Sequence, residues 1–302
     1  MRAGQVGGVI LLGDRWTTEA AVAAAVARVQ AVACERGSPL LVGVDQEGGT
    51  VRRFPWASPA MAAAHMATTA RARSEAAAAA RALRGAGVAI DFAPVADVSA
   101  SAASFEGTRT FGDDPAQVAP LVGAFVQGLQ SRGVAATAKH FPGLGSATAS
   151  TDDRPVTIGR GKAFLTARLA PFRSAIAFGV QLVMVASASY PALDPTGVPA
   201  LVSRPIVTDL LRGTLGFGGV VVTDALDTPA LQDVPDVPGR ALAAGVDLLL
   251  YSRERPAELA YAQLLRDAKG SPAVRAALAA SATRVAALET WLAAHGGPVC
   301  KP

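Results

Sequence analysis

The chain has 302 residues, 51% of them hydrophobic, and a formal net charge of +4. A single α/β barrel takes about 250 residues, and no linker is visible, so we expect one domain over residues 1–302. No apolar run approaches the roughly 20 residues that a membrane-spanning helix needs. The basic residues are scattered, without a basic arm or an aromatic platform, which excludes a nucleic-acid partner.

Short runs rich in Val, Ile and Leu alternate with longer alanine-rich stretches along the whole chain. This alternation is typical of a parallel sheet covered by helices. It predicts strands at 9–12, 40–44, 88–92, 135–138, 182–185, 219–223 and 246–250. It predicts helices at 18–35, 68–85, 115–132, 162–178, 204–215, 229–244 and 272–294.

Seven strands are one fewer than a closed eight-stranded barrel requires, and they leave an unpaired edge. The first of them begins close to residue 1, with no strand and helix before it. We therefore expect an α/β fold, a (β/α)8 TIM-type barrel that lacks its first strand at the N-terminus. Residues 1–6 lack the apolar segment of a secretory signal. Because a lost N-terminal segment would remove such a signal, the compartment stays open between the cytoplasm and export.

The two cysteines, Cys34 and Cys300, lie far apart in the sequence and have no zinc-binding spacing. No Gly-x-Gly-x-x-Gly turn opens a helix. The sequence therefore predicts no disulfide framework, no metal site and no organic cofactor.

Polar residues cluster where the predicted strands end. Asp45 and Glu47 follow the second strand in a glycine-rich turn, Lys139 and His140 follow the fourth, and Asp224 ends the sixth. In a barrel of parallel strands, the carboxyl ends of the strands form the catalytic face. A carboxylate at such a position can attack an anomeric carbon, or it can cap the next helix.

The other polar residues also have two interpretations each. Asp45 and Arg109 suit a hydroxylated ligand, but they equally fit a structural turn and a surface salt bridge. His140 can reach a pocket if the backbone kinks, or it can be a hydrogen-bonded core histidine. Lys139 can form a Schiff base if it is desolvated, which keeps a lyase or aldolase open.

Five motifs resemble glycoside hydrolase family 3, and more narrowly its single-domain β-N-acetylhexosaminidase branch: GVDQEGG at 43–49, DFAPV at 91–95, RTFG at 109–112, KHFPG at 139–143 and TDAL at 223–226. The resemblance implies that Asp224 is the nucleophile. It also implies that the non-reducing sugar is held in the −1 subsite by four residues: Asp45, Arg109, Lys139 and His140. The family has a strand and helix ahead of the segment that resembles residues 6–11, which agrees with the strand deficit.

The loop after KHFPG departs from that pattern. In the hexosaminidase branch this loop carries an Asp-x-His pair whose histidine is the general acid/base, whereas here Asp152 is kept and Arg154 takes the histidine position. Arginine stays protonated and cannot exchange a proton during catalysis. Three outcomes remain: Asp152 or Asp153 serves as the acid, the enzyme acts only on good leaving groups, or the protein binds glycans without turnover.

The sequence thus predicts a monomeric retaining exo-β-glycosidase that hydrolyses terminal β-linked N-acetylglucosamine, or a related β-glycoside, through a covalent glycosyl-aspartate. Its substrate class is a small amino-sugar glycoside such as a cell-wall fragment. A catalytically weak glycan-binding homologue and a β-glucosidase are the alternatives.

Overall fold

The computed structural model describes residues 6–101 and 103–300. Eight strands lie within this part of the chain: β1 (Gly8–Leu11), β2 (Leu41–Val44), β3 (Gln46–Gly48), β4 (Val51–Arg52), β5 (Ile90–Asp91), β6 (Ala135–Phe141), β7 (Leu182–Val185) and β8 (Val220–Thr223). Six of them form one parallel sheet in the order β1-β2-β5-β6-β7-β8. The remaining two, β3 and β4, form an antiparallel hairpin directly after β2.

The six sheet strands confirm six of the seven predicted strands. The seventh segment, 246–250, lies beside β8 and is joined to it by an isolated bridge between Val222 and Leu248 and by separate hydrogen bonds. The described strands therefore form an open, curled parallel sheet whose edges are β1 and this segment. Residues 1–5, over which no secretory signal is predicted, lie outside the described residues.

Helices cover the sheet. The described α-helices are α1 (Glu19–Cys34), α2 (Thr69–Gly85), α3 (Pro115–Gln130), α4 (Lys162–Ala167), α5 (Ala170–Ala177), α6 (Val237–Ala244), α7 (Glu254–Gly270) and α8 (Pro272–Ala294). Side chains that accept hydrogen bonds from first-turn N–H groups define several starts, among them Thr18, Asp114 and Ser271. Among the described residues, none of the helices is long and apolar enough to span a bilayer.

Four helical segments differ from the prediction. The stretch 162–178 is divided into α4 and α5, Pro205–Thr214 is a π-helix, and 229–244 is a short 3₁₀ turn followed by α6. The fourth difference is α7, which the sequence prediction missed. Ala260 is its one buried side chain in the described structure, and its other residues are half-buried or exposed.

The two faces of the sheet have separate apolar cores. Helices cover the outer face, and Gly128 of α3 touches the α2 backbone at Arg73, where any larger residue would clash. The inner face carries Phe92 and Met184, which belong to a second cluster with Leu288 and Leu292 of α8. The C-terminal helix therefore buries the inner apolar face of the open sheet.

The sequence predicts no disulfide framework, and this prediction is wrong. Cys34, at the end of α1, forms a disulfide with Cys300, which follows α8. The two residues are 266 positions apart in sequence, so only the folded chain brings them together. The bond ties the C-terminal segment to the helix that precedes β2.

A buried carboxylate joins α8 to the amino end of β8. The side chain of Asp247 is fully buried, and its carboxylate forms ion pairs with Arg212 at 2.7 Å and with Arg284 of α8 at 2.8 Å. The backbone N–H of Val221 donates to the same carboxylate at 2.9 Å. Removing this charge leaves two partly buried guanidinium groups without a counterion.

We expect Asp247→Asn to lower the free energy of unfolding by about 3 kcal/mol, because breaking a buried ion pair leaves an uncompensated charge. The corresponding fall in Tm is roughly 6–12 °C. Differential scanning calorimetry measures both, with the exposed Asp233→Asn as the matched control. Equal Tm values for the two variants would show that the Asp247 cluster does not hold α8 in place.

Candidate active site

A cavity of about 810 Å³ opens at the carboxyl ends of the strands. Six of the seven predicted site residues line it: Asp45, Arg109, Lys139, His140, Asp152 and Asp224. The seventh, Asp153, is exposed and lies outside the described lining of the cavity, as does Arg154. The sheet thus gathers side chains that are up to 179 positions apart in sequence, from Asp45 to Asp224.

Asp224 directly follows β8, and the backbone fixes its position. Its N–H donates to the carbonyl of Val185 at 3.0 Å, and its carboxylate Oδ1 accepts from the N–H of Ala225 at 2.8 Å. The next helical turn begins only at Pro229. The interpretation of Asp224 as a helix cap is therefore wrong.

A network of ion pairs centred on Glu47 forms one wall of the cavity. Its carboxylate lies 2.8 Å from Nε of Arg109 and 2.6 Å from Nζ of Lys139, and its side chain is 4% exposed. Lys139 also pairs with Asp45 at 2.6 Å. Burial by itself would raise the pKa of Glu47, but the charges of Lys139 and Arg109 outweigh it and lower that pKa to about 2.

This network decides between the two interpretations that the sequence leaves open for Arg109 and for Lys139. Arg109 is a partly buried cavity residue with a side chain 17% exposed, so the surface salt-bridge interpretation is wrong. Burial opposes the charge of Lys139, but Asp45 and Glu47 prevail and raise its pKa. A protonated amine is no nucleophile, which argues against a Schiff base at Lys139.

The turn that carries Glu47 is held by Gln46. The Gln46 side chain donates to the carbonyls of Phe54, Ala57 and Ser58 and accepts from the N–H of Phe54, and its own N–H donates to Asp91 at 3.0 Å. Asp91 is fully buried, and burial raises its pKa well above the usual value. The hairpin is therefore fixed to β5 by a carboxyl group whose burial favours the protonated form.

His140 belongs to a second buried cluster. Its Nδ1 lies 2.8 Å from Oδ2 of Asp97, which also accepts from the backbone N–H of His140 and, through Oδ1, from that of Leu144. The register of β6 against β7 shifts between Ala138 and Phe141, and both Lys139 and His140 line the cavity. The predicted kink is thus present.

Glu106 completes this cluster. One ligand atom from each of Asp97, Glu106 and His140 lies within 4.8 Å of the others, a spacing that suits a metal ion. However, three hydrogen bonds already occupy Asp97, and Arg109 Nη1 lies 2.9 Å from Oε2 of Glu106. A metal cation would have to displace these partners. We therefore assign the group as a cluster of side chains that interact with one another and not as a metal site.

The loop with Asp152 forms the rim of the cavity. The N–H of Asp152 donates to Oγ of Ser150 at 3.0 Å, and the carboxyl group remains exposed at the rim. Partial burial and then the negative charge of Asp224 raise the pKa of Asp152. Asp152 is therefore a carboxyl group that holds a proton more readily than a free aspartate.

Sequence reasoning missed three members of the site. The sequence prediction assigns no role in the site to Glu47, Asp97 or Glu106. Asp97 follows the DFAPV motif at the end of a strand, and Glu106 precedes Arg109 by three residues. The position of Asp97 is a usable signal for a site residue, but nothing in the sequence shows that Glu106 is buried.

Comparison with known proteins places the chain in a family. The model described as "Glycosyl hydrolase family 3 N terminal domain" matches residues 1–288. A beta-hexosaminidase of Xanthomonas oryzae pv. oryzae is 36% identical over 264 residues, which cover 81% of this chain and 76% of that protein. A beta-hexosaminidase of Nitrosomonas eutropha is 34% identical over 268 residues, with coverages of 82% and 74%.

Solved structures show the same fold. A glycoside hydrolase family 3 beta-N-acetylglucosaminidase from a Paenibacillus species superimposes with a TM-score of 0.90 at 34% identity, covering 99% of this chain and 59% of that longer protein. A beta-N-acetylhexosaminidase from Beutenbergia cavernae superimposes with a TM-score of 0.89 at 35% identity, covering 98% of this chain and 90% of the other.

We expect the stabilising effect of Glu47 to depend on pH. Because its pKa is lowered from 4.5 to about 2, its contribution is present above pH 4.5 and is lost as the pH falls through about 2. Glu47→Gln should therefore cost about 3 kcal/mol at pH 7, and the cost should shrink as the pH falls from 4.5 towards 2. Chemical denaturation across this range measures it, with exposed Glu258→Gln as control. A cost independent of pH would contradict the ion-pair assignment.

Proposed function

The chain belongs to glycosyl hydrolase family 3, and from this membership and the cavity geometry we propose that it is a retaining exo-β-glycosidase for terminal β-linked N-acetylglucosamine or a related sugar. The observation that carries the proposal is the position of Asp224. Its carboxylate lies at the end of a buried strand and lines the same cavity as Asp45, Arg109, Lys139 and His140.

In the proposed reaction, Asp224 attacks the anomeric carbon of the sugar. A bond forms between a carboxylate oxygen and this carbon, while the glycosidic bond breaks and its oxygen leaves with a proton. Water then attacks the same carbon, releases the sugar and restores the Asp224 carboxylate. The configuration at the anomeric carbon is retained because it is inverted twice.

We assign the proton transfers to Asp152. It lines the cavity, and Asp224 raises its pKa while Asp224 is ionised, which suits a group that must donate a proton in the first step. Once Asp224 has become an ester, its charge is gone and the pKa of Asp152 falls. Asp152 is then ionised and can take a proton from the attacking water.

The cavity offers the sugar hydroxyls both hydrogen-bond donors and hydrogen-bond acceptors. Lys139 and Arg109 are donors, and Asp45 is an acceptor whose side chain is 16% exposed. Relatives named beta-hexosaminidases support the choice of N-acetylglucosamine. A small carbohydrate is therefore the proposed ligand, and a β-glucoside is the comparison substrate.

At the level of the fold, we propose that the curled sheet is a (β/α)8-type barrel with one strand position open between β1 and the segment 246–250. The superposition on family structures supports this proposal. Apolar side chains next to the gap, such as Ile10, Leu12 and Leu250, are partly exposed and line the cavity. A closed barrel would bury such side chains.

The nucleophile is tested by trapping. We expect a 2-fluoro or 5-fluoro glycoside with a good leaving group to give a protein-bound glycosyl adduct, because such reagents need no acid assistance. Intact-protein mass spectrometry should show the adduct in the wild type and not in Asp224→Ala. No adduct in folded wild-type protein that still binds N-acetylglucosamine would reject the glycosidase and favour a glycan-binding protein.

The role of Asp152 as the acid is tested by comparing substrates with poor and good leaving groups. Asp152→Asn should reduce kcat by roughly 10²–10⁴-fold on substrates with poor leaving groups, because these need protonation, and much less on a nitrophenyl glycoside. The neighbouring Asp153→Asn is the matched control and should leave both rates near the wild-type values. Equal losses for both variants, or a loss that ignores the leaving group, would remove Asp152 from the mechanism.

A further inference from the structure

Glu106 is a buried acidic residue for which the proposed mechanism has no use. It is 1% exposed, and neither carboxylate oxygen accepts a hydrogen bond from any described residue. Arg109 Nη1 contacts Oε2 at 2.9 Å without the alignment of a hydrogen bond. A buried carboxylate without hydrogen bonds is costly, so its charge must be balanced by its surroundings.

The loop that carries Glu106 is held in place by backbone contacts. The N–H of Phe105 donates to the carbonyl of Ala147 at 2.8 Å, and the N–H of Ala100 donates to that of Gly145 at 2.8 Å. Gly145 lies so close to the Val98 carbonyl that a larger residue would clash. The Glu106 carboxylate is therefore kept at a fixed distance from its neighbours.

Two basic side chains adjoin this carboxylate. Arg109 is its direct contact, and His140 lies within the same cluster with Asp97. The Nδ1 atom of His140 faces Asp97, and the charges that reach His140 come from Asp97, Glu106 and Asp224. All three are negative, and all three favour a protonated ring.

The other titratable groups near the cluster do not offset the negative charges that favour protonation of His140. Arg109 is shared between Glu47 and Glu106. Asp152, at the rim, also interacts with His140. The buried Tyr190, close to Asp97 and Glu106, stays neutral because burial raises its pKa.

We propose that Glu106 is a positioning residue for sugar binding, whose carboxylate keeps the His140 ring doubly protonated and holds the Arg109 guanidinium towards the cavity. The inference rests on the proposed role of these two residues in holding the sugar. Because Asp97 only accepts, it fixes the hydrogen on Nδ1. A neutral His140 would then offer Nε2 as an acceptor, whereas a protonated His140 donates from it. Glu106 thereby selects a ligand oxygen that accepts a hydrogen bond.

The pKa values agree with this geometry. Burial raises the pKa of Glu106 to about 6, so the carboxylate is charged at neutral pH. The pKa of His140 is raised, because Asp97 and Glu106 outweigh the effect of burial. The two groups interact, so they titrate as a pair rather than independently.

The first experiment measures the His140 ring directly. The chain has three histidines, so ¹⁵N-labelled histidine gives few signals, which His65→Gln and His295→Gln assign. We expect Glu106→Gln, which keeps the shape and removes the charge, to lower the His140 pKa by about 1 unit. Exposed Glu258→Gln is the matched control and should leave it unchanged. An unchanged His140 titration in Glu106→Gln would overturn the inference without any appeal to catalysis.

The second experiment separates positioning from a structural role. With an N-acetylglucosamine nitrophenyl glycoside, Glu106→Gln should raise KM roughly 3- to 10-fold at pH 8, and the effect should shrink as the pH falls, because acid protonates His140 in both proteins. The kcat should change less than KM. A KM raised equally at every pH would indicate a loosened loop and overturn the inference.

The two proposals fail in different ways. Absence of turnover and of a covalent adduct in the wild type rejects the glycosidase, while the histidine titration still reports on Glu106. Normal turnover with an unshifted pH profile in Glu106→Gln rejects Glu106 alone.

Discussion

The buried charge of Glu47 is the constraint on which the site depends. Its carboxylate is compensated by Lys139 of β6 and by Arg109 from the loop before α3. An ionised group without a partner at such a depth costs several kcal/mol. The hairpin after β2, the strand β6 and the loop before α3 must therefore meet in one arrangement, and Asp45 is brought to the cavity with them through its contact with Lys139.

The same electrostatics shape what the cavity can accept. Its described lining includes six acidic residues and three lysine or arginine residues: Asp45, Glu47, Glu106, Asp152, Asp224 and Asp227 against Arg53, Arg109 and Lys139. An excess of carboxylates disfavours an anionic sugar. It favours the positive charge that develops at the anomeric carbon during glycoside cleavage. The same excess of carboxylates thus contributes both to ligand selection and to stabilisation of the transition state.

The sequence predicts which residues lie at the strand ends, but it does not predict which side chains those residues pair with. Apolar runs that stop at Asp45, Lys139 and Asp224 place these residues at one edge, because parallel strands end on the same side of a sheet. The partnership of Glu47 with Arg109 depends on a hairpin and a loop 62 positions away, which no local pattern encodes. The disulfide between Cys34 and Cys300 was missed for the same reason.

With Asp152 as the proposed acid/base, the two proton transfers depend on a neighbouring charge that changes during the reaction. A histidine near neutral pKa works in both directions by itself, whereas an aspartate needs a neighbour to raise its pKa. In the proposed reaction that neighbour is Asp224, whose charge is present before the glycosyl ester forms and absent afterwards. His140 is poorly suited to this role, because its Nδ1 is held by Asp97 and the nearby carboxylates raise the pKa of its ring. In the proposed mechanism, the nucleophile therefore controls the pKa of the acid/base, and one pair of carboxylates couples the two steps of catalysis.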